Sequence, residues 1–303
     1  MTFFDLVERH PQVALSHKFR ALYLLGPAFV AGVAYLDPGN VATNLTAGGK
    51  YGFLLLWVIV AANLAAWLVQ YLSAKFGIAT GKSLPEVMGN RLTNKPIRLA
   101  YWAQAQLVAI ATDVAEIIGG AIALKILFNL PMLVGALVTG FFSIAHLSLR
   151  ERGSEKAFEI VIVLLIGVTA IGFTSGLFAA PANTHAVLAG LIPHFSGKDS
   201  LLLAVSIIGA TIMPHAIYAH SALSCDRSAY RRNVTSKAGL LKATKWDVSI
   251  AMLVAGLVNA GILIVAGAAL NQHGYTKVTE ISEAYHLLDP ILGSVLAAVL
   301  FGG

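Results

Sequence analysis

Two short polar interruptions stand inside long apolar runs of this chain, and each brings metal-ligand chemistry with it. The first is Asp37-Pro38-Gly39-Asn40, within AYLDPGNVATNLT. The second is Met213-Pro214-His215, within IIGATIMPHAIYAH. Pro38 donates no hydrogen bond and disfavours helix at Asp37, while Gly39 admits backbone angles closed to other residues. A helix must therefore break there. The freed carbonyls, with the carboxylate of Asp37 and the amide of Asn40, make a compact set of hard oxygen donors. At the second break Pro214 is expected to leave Ala210 to Met213 unwound, exposing carbonyls and the thioether of Met213. Oxygen donors alone suit Mg²⁺ or Ca²⁺, whereas a sulfur donor is tolerated by Mn²⁺, Fe²⁺ and Co²⁺. The combined set points to a divalent transition metal.

Other ionisable side chains lie in the apolar runs, where they are costly and so candidates for function. Asp113 and Glu116 stand three apart in ATDVAEIIGG and share a helix face. Two acids there suit a proton path or a cation vestibule, or a pair of carboxyls bonded to neighbouring helices. His215, beside the second break, could carry protons near neutral pH. His220 could do the same or simply hydrogen-bond. His146, near a helix end, reads as structural.

The elements that position these residues are membrane helices. Of 303 residues, 57% are hydrophobic and 12% charged, against about 25% charged in a soluble domain. Continuous apolar runs without period-two alternation indicate helices rather than a barrel. Spans are expected at Tyr23 to Leu45 (interrupted), Phe53 to Ile78, Ala100 to Phe128, Pro131 to Leu149 and Phe158 to Ala180. Further spans follow at Leu201 to Leu223 (interrupted) and Val248 to Leu270, and an eighth begins near Leu287. The N-terminal MTFFDLVERHPQVALSHKFR has no apolar core and is not expected to act as a cleavable signal. No linker divides the chain, so residues 1–303 read as a single transmembrane domain.

Charge sets the orientation. With the N-terminus in the cytoplasm, seventeen of the basic residues fall on inner segments, and only Lys50, Lys125, Lys198 and Lys277 fall outside. The same loops explain the net charge of +6 by contact with anionic lipid, with no need of nucleic acid. The segment Pro181 to Phe195 is amphipathic and is expected outside as a loop helix. The single cysteine, Cys225, excludes an internal disulfide and a Cys-rich metal site.

DPGN followed by GATIMPH at this separation resembles the Nramp family of proton-coupled divalent metal transporters, in its bacterial, MntH-type manganese branch. GIATGKSL, ATDVAEIIGGAIALK, GATIMPHAIYAHSAL and ATKWDV fit the same pattern, and the likeness covers nearly the whole chain. The resemblance implies an all-α polytopic membrane bundle of the LeuT type, built from inverted five-helix repeats. Residues 21–180 would form the first repeat and 200–303 the second. The second would be truncated in its third helix, since VLFGG falls within the eighth span and helices nine and ten do not follow. It implies Asp37, Asn40 and Met213 as metal ligands, with carbonyls of Ala34 and Ala210. It assigns proton transport to Asp113, Glu116 and His215, and places Arg227 at the basic end of that route. Metal ions and protons would be cargo, with no bound cofactor, in the plasma (inner) membrane.

Three other functions compete. A sodium-coupled carrier of small organic solutes uses similar broken helices, but a carboxylate at the first break and a methionine at the second argue against it. A membrane-embedded metalloprotease would need a motif such as HExxH, which is missing from the sequence. A truncated transporter without activity is the third.

Overall fold

The computed structural model describes residues 28, 31–32, 34–151, 155–231, 236–275 and 281–292. These residues build a helical bundle, with no strand among them. The helices are α1 (Pro38–Tyr51), α2 (Leu56–Thr80), α3 (Leu84–Arg91), α4 (Lys95–Phe128), α5 (Met132–Glu151) and α6 (Glu155–Ala179). They continue with α7 (Thr184–Ala189), α8 (Lys198–Thr211), α9 (Pro214–Arg231), α10 (Lys237–Ala269) and α11 (Ile281–Leu292). A 3-10 turn, Ala34–Leu36, precedes α1. The start of the first expected span and the tail of the eighth lie outside the described residues.

Local chemistry sets the boundaries. Ser83, Asn94, Asn183 and Ser236 each accept a backbone N–H from the first turn of the helix they precede. Gly81 and Asn129, both left-handed, end α2 and α4. Because Asn94 caps and Pro96 sits in the first turn, α4 begins at Lys95 rather than at the expected Ala100. Similarly, Ser236 starts α10 eleven residues before the apolar run at Val248.

Among the described residues, four stretches are long and apolar enough to cross a membrane: Leu56–Thr80, Lys95–Phe128, Lys198–Asp226 and Lys237–His273. The third runs through the second break. Apolar side chains left outside the core fit a hydrocarbon solvent: Leu107 is 68% exposed, Phe141 69% and Phe178 84%.

The core lies where α10 packs against α1 and α2, and α9 against α2. Leu45, Leu55, Ile59, Ile207, Ile262 and Leu263 are buried together. Tyr35, Ala66, Val248, Ala251 and Met252 form a second cluster under the first break. Helix α4 is peripheral, with Ala121 its one buried residue. The segment Pro181 to Phe195 contains α7 and is strapped to the start of α2. The Trp57 amide donates to the Gly190 carbonyl at 3.0 Å and its indole to the His194 carbonyl at 3.3 Å. The Phe195 ring meets Trp57 edge-on.

Candidate metal and proton site

Asp37 is the N-cap of α1, in extended conformation between the 3-10 turn and Pro38. Its Oδ1 accepts the Asn40 amide N–H at 2.8 Å and the Asn40 side-chain Nδ2 at 2.7 Å. The half-buried acid is thus held by the first turn of the helix it starts, while Asn40 is fully buried.

The second break is shorter than expected. Ile212 and Met213 are the only non-helical residues between α8 and α9, and Ala210 and Thr211 stay helical. The reason is local. Proline removes one donor, the N–H that would bond the carbonyl four residues earlier. For Pro214 that carbonyl is Ala210, and for Pro38 it is Ala34. Ala210 can therefore remain helical and still offer its oxygen sideways. Asn40 Nδ2 takes that offer at 2.9 Å. The Thr211 hydroxyl lies 3.2 Å from Asn40 Oδ1 and 2.7 Å from the Ile207 carbonyl. Met213 is buried beside them in sequence, 6% exposed.

Among the described residues, no group of three or more His, Cys, Asp or Glu side chains could hold a metal ion. An ion accepted at the breaks would need mixed donors: one carboxylate, an amide oxygen, carbonyls and a thioether.

Asp37, Asp113, Glu116 and His215 form one electrostatic neighbourhood. The charge of Asp37 acts on both Glu116 and His215, and so does that of Asp113. Asp113 and Glu116 are exposed on α4, and the Nδ1 of the half-buried His215 is shielded from solvent without a hydrogen-bond partner. His220 stands apart from this group. Its Nδ1 donates to Gln70 Oε1 at 2.7 Å, and Gln70 Nε2 donates to the Tyr35 hydroxyl at 2.7 Å. All three are buried to about 1% exposure. His220 is thus hydrogen-bonded to α2. His146 is half-buried on α5. Arg227 lies on α9, with its side chain outside the described residues.

Gln70, Asn44, Asn259 and Asp247 do not stand out in the sequence reading, yet each holds elements together. Gln70 spans α2 to both the 3-10 turn and α9. Asn259 Nδ2 donates to the Tyr35 carbonyl at 2.8 Å, and its Oδ1 accepts from Asn44 Nδ2 at 2.8 Å. Asp247, 2% exposed, accepts the Ala28 amide at 3.2 Å. The signal available was a lone amide inside an apolar run, as in LAAWLVQYL and AGLVNAGIL.

Comparison with known proteins bears on this geometry. The family model for Nramp, natural resistance-associated macrophage protein-like, matches residues 28–302. The divalent metal cation transporter MntH of Mycobacterium tuberculosis (strain H37Rv) is 54% identical over 279 residues, 92% of this chain and 64% of its own length. MntH of Yersinia pestis (strain Pestoides F) is 46% identical over 282 residues, 93% of this chain and 67% of its own. The crystal structure of the Eremococcus coleocola manganese transporter, in complex with an aromatic bis-isothiourea substituted compound, matches with a TM-score of 0.78. It is 31% identical, over 96% of this chain and 64% of that one. The chain thus spans about two thirds of the length of these relatives.

Proposed function

Because the chain belongs to the Nramp family, we propose that it carries a divalent transition-metal ion, Mn²⁺ and also Fe²⁺, across the plasma (inner) membrane together with protons. The observation that carries this reading is the bond from Asn40 to the Ala210 carbonyl, which draws the two broken helices together at a carboxylate. The metal is the cargo. Asp37, Asn40, Met213 and the carbonyls of Ala34 and Ala210 are its ligands. Rotation of the Asn40 amide exchanges its NH₂ for Oδ1, turning a donor that links carboxylate and carbonyl into an oxygen that shares the ion with them. The Met213 sulfur gives transition metals an advantage over Mg²⁺ and Ca²⁺.

Proton movement runs through Asp113, Glu116 and His215, whose charges interact around Asp37, with Arg227 at its inner end. The pair of breaks supports two inverted repeats, 21–180 and 200–303, that rock about the site in alternating access. The excess of basic residues on one set of loops supports a cytoplasmic N-terminus.

The test is Mn²⁺ uptake into proteoliposomes under an inward proton gradient, with internal pH followed by a dye. Uptake with acidification, both abolished by Asp37→Ala, is expected. Uptake that survives Asp37→Ala would remove the break from the mechanism, and uptake without acidification would remove the protons.

A further inference from the structure

Helix α4 bears Asp113 and Glu116, yet it touches the break at one short place. A Cβ added at Gly119 would overlap Pro38 Cγ and lie 2.9 Å from Pro38 Cβ. The next residue faces the other way: a Cβ on Gly120 would stand 2.5 Å from Thr139 Cγ2 on α5. Ala121, 1% exposed, meets Gly135 of α5, where an added Cβ would lie 3.1 Å from the Ala121 Cα. Three consecutive small residues therefore wedge α4 between the ring of Pro38 and α5. Most of the rest of α4 is only partly covered or exposed.

We propose that Gly119 is a positioning residue for the coupling of protons to metal. Resting on the proposed function above, its lack of a side chain lets α4 lie directly on Pro38 and so sets how far Asp113 and Glu116 stand from Asp37. Gly119 follows Glu116 by three residues, and the two are neighbours on the helix surface. Asp37 immediately precedes Pro38. A side chain at 119 would push the two apart, and because α4 is a rigid rod its acids would move with it. Charge interactions weaken with distance, so the pull of Asp113 and Glu116 on ions approaching the break would change with the gap.

The test compares Gly119→Ala with Gly120→Ala, a twin with the same gain in helix propensity and a similar clash, directed at α5 instead of the break. Mn²⁺ uptake is measured against pH in proteoliposomes, and Mn²⁺ binding by calorimetry on the solubilised protein. Gly119→Ala is expected to shift the midpoint of the pH profile by roughly 0.5 unit or more and to change the protons entering per Mn²⁺. Gly120→Ala is expected to keep the profile of the unaltered protein. Equal profiles in Gly119→Ala and the unaltered protein, or equal shifts in both variants, would overturn the proposal. Should Gly119→Ala fail to fold, it is combined with Pro38→Gly, which removes all three ring atoms it meets. Recovery of folding supports the contact as the reason for glycine, and a double variant that stays unfolded where the Pro38→Gly variant alone folds overturns it. No Mn²⁺ uptake by the unaltered protein would sink the transport reading and this proposal with it, whereas uptake with an unmoved Gly119→Ala profile would sink this proposal alone.

Discussion

Asn40 and Ala210 lie 170 residues apart and are joined by a 2.9 Å hydrogen bond from side-chain amide to backbone carbonyl. The same NH₂ also donates to Asp37 at 2.7 Å. One fully buried side chain therefore satisfies a carboxylate on the first broken helix and an orphan carbonyl on the second. Both needs arise from prolines. Pro38 obliges Asp37 to cap a new helix, and Pro214 deprives Ala210 of its usual donor.

Replacing Asn40 by Ala should leave the Ala210 carbonyl unpaired and take one of two donors from Asp37, which keeps the backbone N–H of residue 40. A buried acceptor left unpaired costs about 1–3 kcal/mol. Thermal unfolding in detergent should fall by a cost in that range, and Mn²⁺ uptake should be lost. Asn40→Asp, which keeps an oxygen but cannot donate, should also lose the bond to Ala210. A variant as stable as the unaltered protein would show that the bond holds nothing together.

Met213→Ala separates selectivity from transport. If the sulfur is a ligand, its removal should weaken discrimination against Ca²⁺ and Mg²⁺ more than it slows Mn²⁺ uptake. Competition of Mn²⁺ uptake by a large excess of Ca²⁺ measures this directly. Unchanged competition would remove Met213 from the set of ligands.

The two breaks were legible in the sequence because proline acts through its own missing N–H, a local effect. The extent of the second break was not legible. Unwinding was expected from Ala210, but loss of one hydrogen bond left Ala210 and Thr211 helical. Helix α4 began early because Asn94 and Pro96 outvoted the apolar boundary at Ala100. Asp113, Glu116 and His215 stand out in the sequence through their charge, and the charge of Asp37 acts on Glu116 and His215. Tyr35, Gln70, Asn44 and Asn259 carry no charge, and their partners lie on other helices. Gln70 meets His220 across 150 residues, and Asn44 meets Asn259 across 215. Nothing in a single run of sequence announces such a pairing.

Gly77 makes a prediction about packing alone. A Cβ there would overlap the Ser221 carbonyl, so α2 and α9 touch backbone to backbone. Gly77→Val should force the helices apart, at a cost of about 1–3 kcal/mol for overpacking. It should also disturb the bond from the Leu84 amide to Ser221 Oγ, 2.9 Å long. A melting temperature equal to that of the unaltered protein would show that α9 can move aside freely.

Gln70 links three elements through two bonds, to Tyr35 in the 3-10 turn and to His220 on α9. Gln70→Leu should orphan both partners at once, costing about 1–3 kcal/mol for each buried group left unpaired. His220→Leu should cost less, since it removes one bond and leaves Gln70 its bond to Tyr35. Because the two substitutions delete members of one network, the double variant should be less destabilised than the sum of the singles. That shortfall is the coupling energy of the Gln70–His220 bond, read from three unfolding curves and that of the unaltered protein. It bears on function as well. The 3-10 turn ends beside Asp37, so a bond that fixes Tyr35 to α9 through Gln70 ties the first break to the half of the second broken helix that follows Pro214. If that tie is released during transport, both single variants should alter the rate of Mn²⁺ uptake while leaving Mn²⁺ affinity near that of the unaltered protein. Strict additivity in stability would show that Gln70 and His220 act independently and would remove the tie.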